Sequence, residues 1–498
     1  MFHRRKKEPS TLPVSNTDTT MPTSSSSSSF LRTPTTSSFS FSFSVSFKSF
    51  LFFLSLLLNL YLLFILWAPS SATFHPTNLT IASRVSPTTR RHILFAIASS
   101  SVSWPRRQPY LRLWYSPNST RAFAFLDSPS FNSSSSSSLP PVVISGDTSG
   151  FPYTFRGGLR SAIRVARVVK EVVDRNETDV RWFVFGDDDT VFLVENVVRT
   201  LSKYDHDRWF YIGGNSESYD QNVKYSFEMA FGGGGFAISH SLGRVLARVL
   251  DSCLRRYGHL YGSDSRIYSC LAELGVGLTH EPGFHQLDMR GNLFGMLAAH
   301  PLSPLLSLHH LEALEPLFPN MNRTQALEHL IVAANIDPAR ILQQTVCYDR
   351  SNSLTFSVSW GFGIQVFQGN ELLPDLLSLQ RTFMPWKRGS KVDAKFMFNT
   401  RDYPKDPCER PSVFFLKSVT SDERGIWSYY SRHVVGNCYE LNATQLMEII
   451  VFSRKLELDM EQMKAPRRQC CNVLPSSNES ISIHIRPCEI NELISMQS

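Results

Sequence analysis

The amino-acid sequence predicts an α/β fold carried behind a single apolar helix. Three observations point there. A run without charge, FLFFLSLLLNLYLLFILWA, occupies Phe50 to Ala68. Beyond it, short apolar strand-like stretches alternate with segments of helical periodicity. One of those stretches, Val180 to Phe185, runs almost directly into Asp187-Asp188-Asp189. Strands alternating with helices favour a sheet whose site lies at the strand C-terminal ends.

At 498 residues the chain is long enough for two or three domains, with apolar content for a core in each. The formal net charge of +7 rests on nearly balanced acids and bases, and part of the excess sits in Arg4-Arg5-Lys6-Lys7. No segment gathers Lys and Arg with interleaved aromatics, so a nucleic-acid partner is not expected.

Residues 1–48 are rich in Ser, Thr and Pro and cannot bury enough apolar surface to fold alone, which predicts a disordered tail. Residues 49–68 are expected to cross a bilayer, for which about 20 apolar residues suffice. Arg4, Arg5, Lys6, Lys7, Arg32 and Lys48 precede this run, and the next Lys or Arg is Arg84. That bias leaves the tail cytosolic and the remainder lumenal, a single-pass type II arrangement. A cleaved signal peptide would be shorter, nearer the start and followed by a small-residue cleavage site. Residues 69–90 then form a stem.

Two features agree with a lumenal body. Asn78, Asn118, Asn132, Asn176, Asn322, Asn442 and Asn478 stand in N-x-Ser/Thr sequons beyond the anchor, and are candidates for glycosylation. The eight cysteines also lie beyond it, in a compartment where disulfides persist. Their connectivity is open, several would serve equally as buried thiols, and no recurring C-x-x-C offers a zinc site.

Within the body, HILFAIASS from His92 reads as a buried strand feeding a ligand-facing loop. Leu159 to Val173 sets Leu159, Ala162, Ile163, Ala166, Val169 and Val173 on one side of a helix, with Arg160, Arg164, Arg167 and Lys170 largely opposite. Ser133 to Ser138, followed by Pro140-Pro141, reads as a loop insertion. Helical periodicity resumes from Ser241 to Leu250. Beyond about residue 300 the pattern turns to proline-punctuated apolar segments with strand-like runs at Leu354–Trp360 and Ile364–Phe367. The expected division is an α/β catalytic domain over 91–300 and a partly β C-terminal region over 301–498, of unknown role.

The chemistry centres on FVFGDDDTVF. Three adjacent acids in an apolar setting repel one another unless a cation compensates them. Hard oxygen ligands suit Mn²⁺ or Mg²⁺, which would also bridge the phosphates of a nucleoside diphosphate. A solvated acidic turn fits poorly with the apolar residues on both sides. Gly232 to Gly235 lack side chains, so backbone can approach a sugar ring and its N–H groups can donate to hydroxyls; a flexible turn is the competing reading. No Gly-Lys-Ser/Thr follows, which excludes a P-loop.

The motifs WPRRQPYLRLWY, FRGGLRSAIR, RWFVFGDDDTVF, YIGGNSE, FGGGGFAIS, YGSDSRIYSCLAELG and EPGFHQLD occur in this order. Together they resemble the plant branch of Fringe-like proteins in glycosyltransferase family 31, across nearly the whole lumenal chain. PCERP around Cys408 fits the same group. The resemblance implies a GT-A type fold, a UDP-sugar donor, a Mn²⁺-type metal, a glycan or glycoprotein acceptor, Golgi residence and inversion at the anomeric carbon, with a β-1,3 linkage for a hexose or N-acetylhexosamine.

Carried over by position, Asp189 resembles the metal-ligating last acid and Asp187 the acid facing the donor, with Asp188 supporting both. Gly233 and Gly234 resemble part of a donor wall, and His285 resembles a distant histidine completing the metal site. Trp104, Arg106 and Arg107 fall in the loop after the first strand, where nucleotide contacts are expected; an internal helix cap is the competing reading. Asp264 resembles the general base, although Ser265 stands where a second acid is expected; the other reading of Asp264 is a helix N-cap. The rivals are a lumenal binding protein that has lost turnover and a phosphohydrolase, the latter lacking a second metal cluster.

Overall fold

The computed structural model describes residues 44–67, 86–129, 137–389, 394–435, 446–475 and 479–496. Most of the expected tail and stem, the serine run to residue 136, and Asn78, Asn132, Asn442 and Asn478 lie outside the described residues. The chain divides into two compact units, Met1–Arg84 and Val85–Ser498. In the first, Ser44–Trp67 forms one helix, α1, and its side chains from Phe50 to Phe64 are exposed. Side chains are described there only over 49–64, and among the described residues no helix is long and apolar enough to cross a membrane.

The second unit opens on a seven-stranded sheet. Its strands are β1 (Ile93–Ala98), β2 (Arg121–Leu126), β3 (Val142–Ile144), β4 (Trp182–Asp187), β6 (Tyr211–Gly213), β7 (Phe236–Ser239) and β8 (Leu278–His280), while β5 (Val191–Phe192) lies outside it. The order is β3-β2-β1-β4-β7-β6-β8. The first four run parallel, β7 runs antiparallel to β4 and β6, and β8 is parallel to β6. Every side chain of β1 is buried. Uninterrupted apolar runs are what a strand covered on both faces requires.

Helices supply that cover, α2 (Trp104–Arg112), α3 (Ser161–Asp174), α4 (Val194–Leu201), α6 (His240–Arg256) and α7 (Asp264–Glu273), while the short α5 (Tyr219–Lys224) buries only Asn222. The apolar face of α3 is as read from periodicity at Ala162, Ile163, Ala166 and Val169. Leu159 falls before the helix and is 77% exposed. Arg164, expected on the polar face, is buried because its guanidinium donates to Phe125 O at 3.2 Å and Ser99 O at 2.6 Å. It reaches the carbonyl of Ser99, just past β1, and that of Phe125 in β2, which also accepts from Ser99 N–H at 3.0 Å. Cys253–Cys270 joins α6 to α7.

Three short strands form a separate layer: β11 (Ser307–Leu308) lies between β5 and β9 (Phe284–His285), with β10 (Met289–Gly291) paired elsewhere. An eight-stranded sheet follows, in the order 344–349, 354–359, 363–368, 412–421, 426–433, 448–453, 480–486, 470–475. The expected strands at Leu354–Trp360 and Ile364–Phe367 are among them. Cys347–Cys471 joins its first and last strands, and Cys470–Cys488 braces the end; Cys408 is disulfide-bonded too. One buried core runs from Ile93 through Phe192 and Leu308 to Tyr430 and Ile485. The expected break near residue 300 therefore falls inside one compact unit.

Replacing Cys347 and Cys471 by Ser is expected to cost about 2–4 kcal/mol, the usual contribution of a disulfide. A lowered thermal midpoint checks this. An unchanged midpoint would mean that the core alone holds the sheet's two edges together.

Candidate active site

Strand β4 ends by delivering Asp187 level with Ala98 of β1. A Cβ on Gly186 would lie 2.8 Å from the Phe192 ring, so glycine lets the strand pass. The acidic turn is closed by Thr190: Asp187 N–H donates to its Oγ1 at 2.9 Å, and that hydroxyl donates to Gly233 O at 2.7 Å. The aspartates and the glycine run are thus fastened to one another.

The three carboxylates have different surroundings. Asp188, 2% exposed, accepts from Ser99 Oγ at 2.7 Å, Ser103 Oγ at 2.6 Å and Arg107 Nη1 at 2.8 Å. Both its oxygens are taken, so it clamps the loop between β1 and α2. Asp189, 1% exposed, lies 2.8 Å from Arg107 Nη1 and 3.2 Å from His309 Nε2. Asp187 keeps 40% side-chain exposure and stands 3.7 Å from the same nitrogen.

Their acidities diverge accordingly. The Asp187 carboxyl is held above the usual carboxylate range by desolvation against the protein on its inner side and by the like charges of Asp189 and Asp264, with His309 opposing. Burial would raise Asp189 as well, but His309 and Arg107 together bring it down to about 2. Burial would lower His309, and Asp189 and Asp187 raise it instead.

Asp187, Asp189 and His309 form a group that could hold a metal ion, with one ligand atom from each within 4.8 Å of the others. His309 Nδ1 is buried with no hydrogen-bond partner among the described residues, while Asp189 Oδ1 faces Arg107 Nη1 and His309 Nε2 as ion-pair partners. Buried polar atoms are seldom left so, and carboxylate oxygens beside an imidazole suit a divalent cation. These residues fit a Mn²⁺ or Mg²⁺ ion.

His285 is not brought to the aspartates. Its Nδ1 lies 3.0 Å from Glu217 Oε1 and its Nε2 2.9 Å from His300 Nε2. In the parallel pairing of β9 with β11, His285 is level with Leu308. Residues level across a pair share a face and the next residue takes the other, so His309, one step on, turns to the acids while His285 turns to Glu217. Nothing in the spacing of the sequence marked that pairing. SLHHLE carries the histidines at the end of a short apolar run, which was the available signal, but it fell beyond the expected domain boundary.

The glycine run is needed for close approach. A Cβ on Gly233 would meet the His309 ring at 2.1 Å, one on Gly232 would meet Asp264 Oδ1 at 2.6 Å, and one on Gly234 would meet Gln286 N at 2.9 Å. Its N–H groups are partly spent inside the protein: Gly234 donates to Gln286 Oε1 at 2.6 Å, Gly235 to Gly232 O at 3.0 Å, and Gly232 to Asp264. The expectation that the whole run donates to sugar hydroxyls is narrowed to that extent.

Asp264 is the first residue of α7, whose N-cap position is Ser263 and carries no side-chain cap bond. The N-cap reading therefore does not hold. Its carboxylate instead faces Gly232 and accepts from Ser263 Oγ at 2.9 Å. Burial raises its pKa, opposed by those donors and by His309. Asp264 against Gly232 and His309 against Gly233 occupy neighbouring positions on one loop.

Further residues complete the surroundings. His310 Nδ1 lies 3.1 Å from Asp288 Oδ1, and its ring stacks between His309 at 3.9 Å and Trp386 at 4.3 Å. Glu217 accepts from Leu287 N at 2.7 Å and fixes the turn after β9. Trp104 is buried, and Arg106 points to Glu312 at 3.8 Å, so of the three early residues only Arg107 reaches the acids. The described sequon residues Asn118, Asn176 and Asn322 are exposed.

A family model described as "Protein of unknown function, DUF604" matches residues 221–471. The chain is 28% identical over 138 residues to beta-1,3-glucosyltransferase of Mus musculus and, equally, of Homo sapiens, covering 28% of this chain and 26% of each relative. It thus spans about a quarter of the length of the curated relatives it matches. Among solved structures, a mannosyltransferase from Pyrobaculum calidifontis in complex with GDP-Man and Mn²⁺ aligns with a TM-score of 0.24 and 14% identity, covering 39% of this chain and 55% of that one. Mouse xyloside xylosyltransferase 1, in its apo form, aligns with a TM-score of 0.24 and 6% identity, covering 37% and 81% respectively.

Proposed function

This chain belongs to the DUF604 family of proteins of unknown function, and within that family we propose that it is a metal-dependent inverting glycosyltransferase with a GT-A type fold. It would move a hexose or N-acetylhexosamine from a UDP-sugar to a glycan or glycoprotein, in β-1,3 linkage. The observation that carries this reading is the meeting of Asp187, Asp189 and His309 at the end of β4, with Asp264 one glycine away. The stretch shared with β-1,3-glucosyltransferases supports the same class.

Asp187, Asp189 and His309 would hold Mn²⁺ or Mg²⁺, and the bound ion supplies Lewis-acid stabilisation of a departing diphosphate. The chain's own groups do the rest. Asp188 and Arg107 hold the acidic turn in place from behind. Glycines at 232–234 leave room for a pyranose beside the carboxylates. Asp264, its basicity raised by burial, takes the proton from the acceptor hydroxyl as that oxygen attacks the anomeric carbon.

The proposal includes a type II anchor over residues 49–68 and a Golgi-lumenal body. It is supported by the uncharged run from Phe50 to Ala68 in the sequence, by disulfides and by exposed sequons. A second reading, a lumenal binding protein without turnover, is favoured by Ser265 where a second acid is expected. Incubation with a panel of UDP-sugars and glycan acceptors separates the two: acceptor-dependent release of UDP that requires Mn²⁺ supports the enzyme. Metal-dependent UDP binding without release under every pairing contradicts it and favours the second reading.

A further inference from the structure

Beside Asp264 lies a set of aromatic rings that the reaction chemistry above does not use. Three loops contribute: Phe155 from the FRGGLR segment before α3, Tyr225 after α5, and Tyr261 three residues before Asp264. The rings of Tyr225 and Tyr261 are nearly parallel, 18° apart in plane with centroids at 5.6 Å. Phe155 leans on Tyr261 at 5.3 Å, and Tyr225 meets the edge of buried Phe231 at 6.3 Å. Phe231 directly precedes the glycine run, so the set is continuous with the floor of the candidate site.

These rings are held in place but only partly covered. Tyr261 is 45% exposed, and Tyr225 and Phe155 are half-buried. Lys224 braces the pair, its ammonium 4.6 Å from the Tyr225 ring centre and 5.5 Å from that of Tyr261, and it donates to Tyr225 Oη at 2.8 Å. A core would bury such rings. An exposed aromatic patch on a soluble face marks a contact, and one fixed beforehand loses little entropy on binding. Flat aromatic faces beside a proton-accepting carboxylate match one chemistry closely: the apolar C–H face of a pyranose stacks on the ring while its hydroxyls remain free for the carboxylate.

We infer that Tyr261 and Tyr225, with Phe155 behind them, form the acceptor subsite, a stacking wall for a neutral pyranose whose attacking hydroxyl is presented to Asp264. The inference rests on the proposed transferase reading for its direction and gives that reading a substrate-side specificity element. Tyr261→Ala removes the exposed ring, whereas Tyr261→Phe keeps the stacking face.

The test uses the full-length chain on an array of neutral oligosaccharides, followed by calorimetry with the tightest binder on the array. The unaltered chain and Tyr261→Phe are expected to bind it alike. Tyr261→Ala and Tyr225→Ala are expected to bind at least about fivefold more weakly, in keeping with loss of an aromatic contact, with thermal midpoints within a few degrees of the parent. UDP titration with Mn²⁺ on the same preparations should be unaffected. If no neutral glycan binds the unaltered chain, or if both alanine variants bind as tightly as the parent, the subsite is wrong. Weakened glycan binding in the alanine variants, in a chain that transfers from no UDP-sugar, would retain the wall and remove the enzyme reading.

Discussion

Asp264→Asn is expected to lower glycosyl transfer by about 10²–10⁴-fold, the usual contribution of a positioned general base, and to leave UDP binding with Mn²⁺ intact. The amide keeps the shape and the contact with the Gly232 N–H but cannot accept the acceptor's proton. Asp264 belongs to the α7 side of the glycine run, whereas the three candidate metal ligands belong to the β4 and β11 side. Loss of turnover with UDP binding preserved therefore separates this residue from the three candidate metal ligands. Transfer at the parental rate would dismiss Asp264 as the base.

Asp189→Ala is expected to weaken metal-dependent UDP binding by at least about 100-fold, the upper end of what even supporting residues of a metal site contribute. Asp189 is the acid shared by His309 and Arg107, so its removal also leaves the guanidinium with Asp188 and Glu312. Asp188→Asn should behave differently. It loosens the clamp on Ser99 and Ser103, so it should lower the thermal midpoint before it affects the metal. Calorimetry on the two variants separates the roles, and equal loss of binding would show that the acidic turn acts as a unit.

Much of this could be read from local pattern. The apolar run before Asp187 is a central strand because period and length both demanded burial, and Gly232–Gly235 sit where side chains would collide. The face of α3 was legible at Ala162, Ile163, Ala166 and Val169, but not at Arg164. That residue is buried by the carbonyl groups of Ser99 and Phe125, partners that no helical periodicity reveals. The role expected of His285 failed for a related reason. A two-residue strand, β11, crosses from beyond residue 300 to lie between β5 and β9, and it changes which histidine meets the acids. Strand pairings that short leave almost no trace in composition. Asp188 shows the same limit: three adjacent aspartates look alike in sequence, and only the donors around each distinguish a clamp from a ligand.

The decisive measurement is calorimetric titration of UDP into the unit from Val85 onward, with and without Mn²⁺, for the parent, His309→Ala and His285→Ala. The parent should bind UDP only when Mn²⁺ is present. His309→Ala should lose that binding, and His285→Ala should keep it, weakened at most by the loosened turn at Glu217. Binding that ignores Mn²⁺, or that survives in His309→Ala and disappears in His285→Ala, would contradict the metal site formed by Asp187, Asp189 and His309.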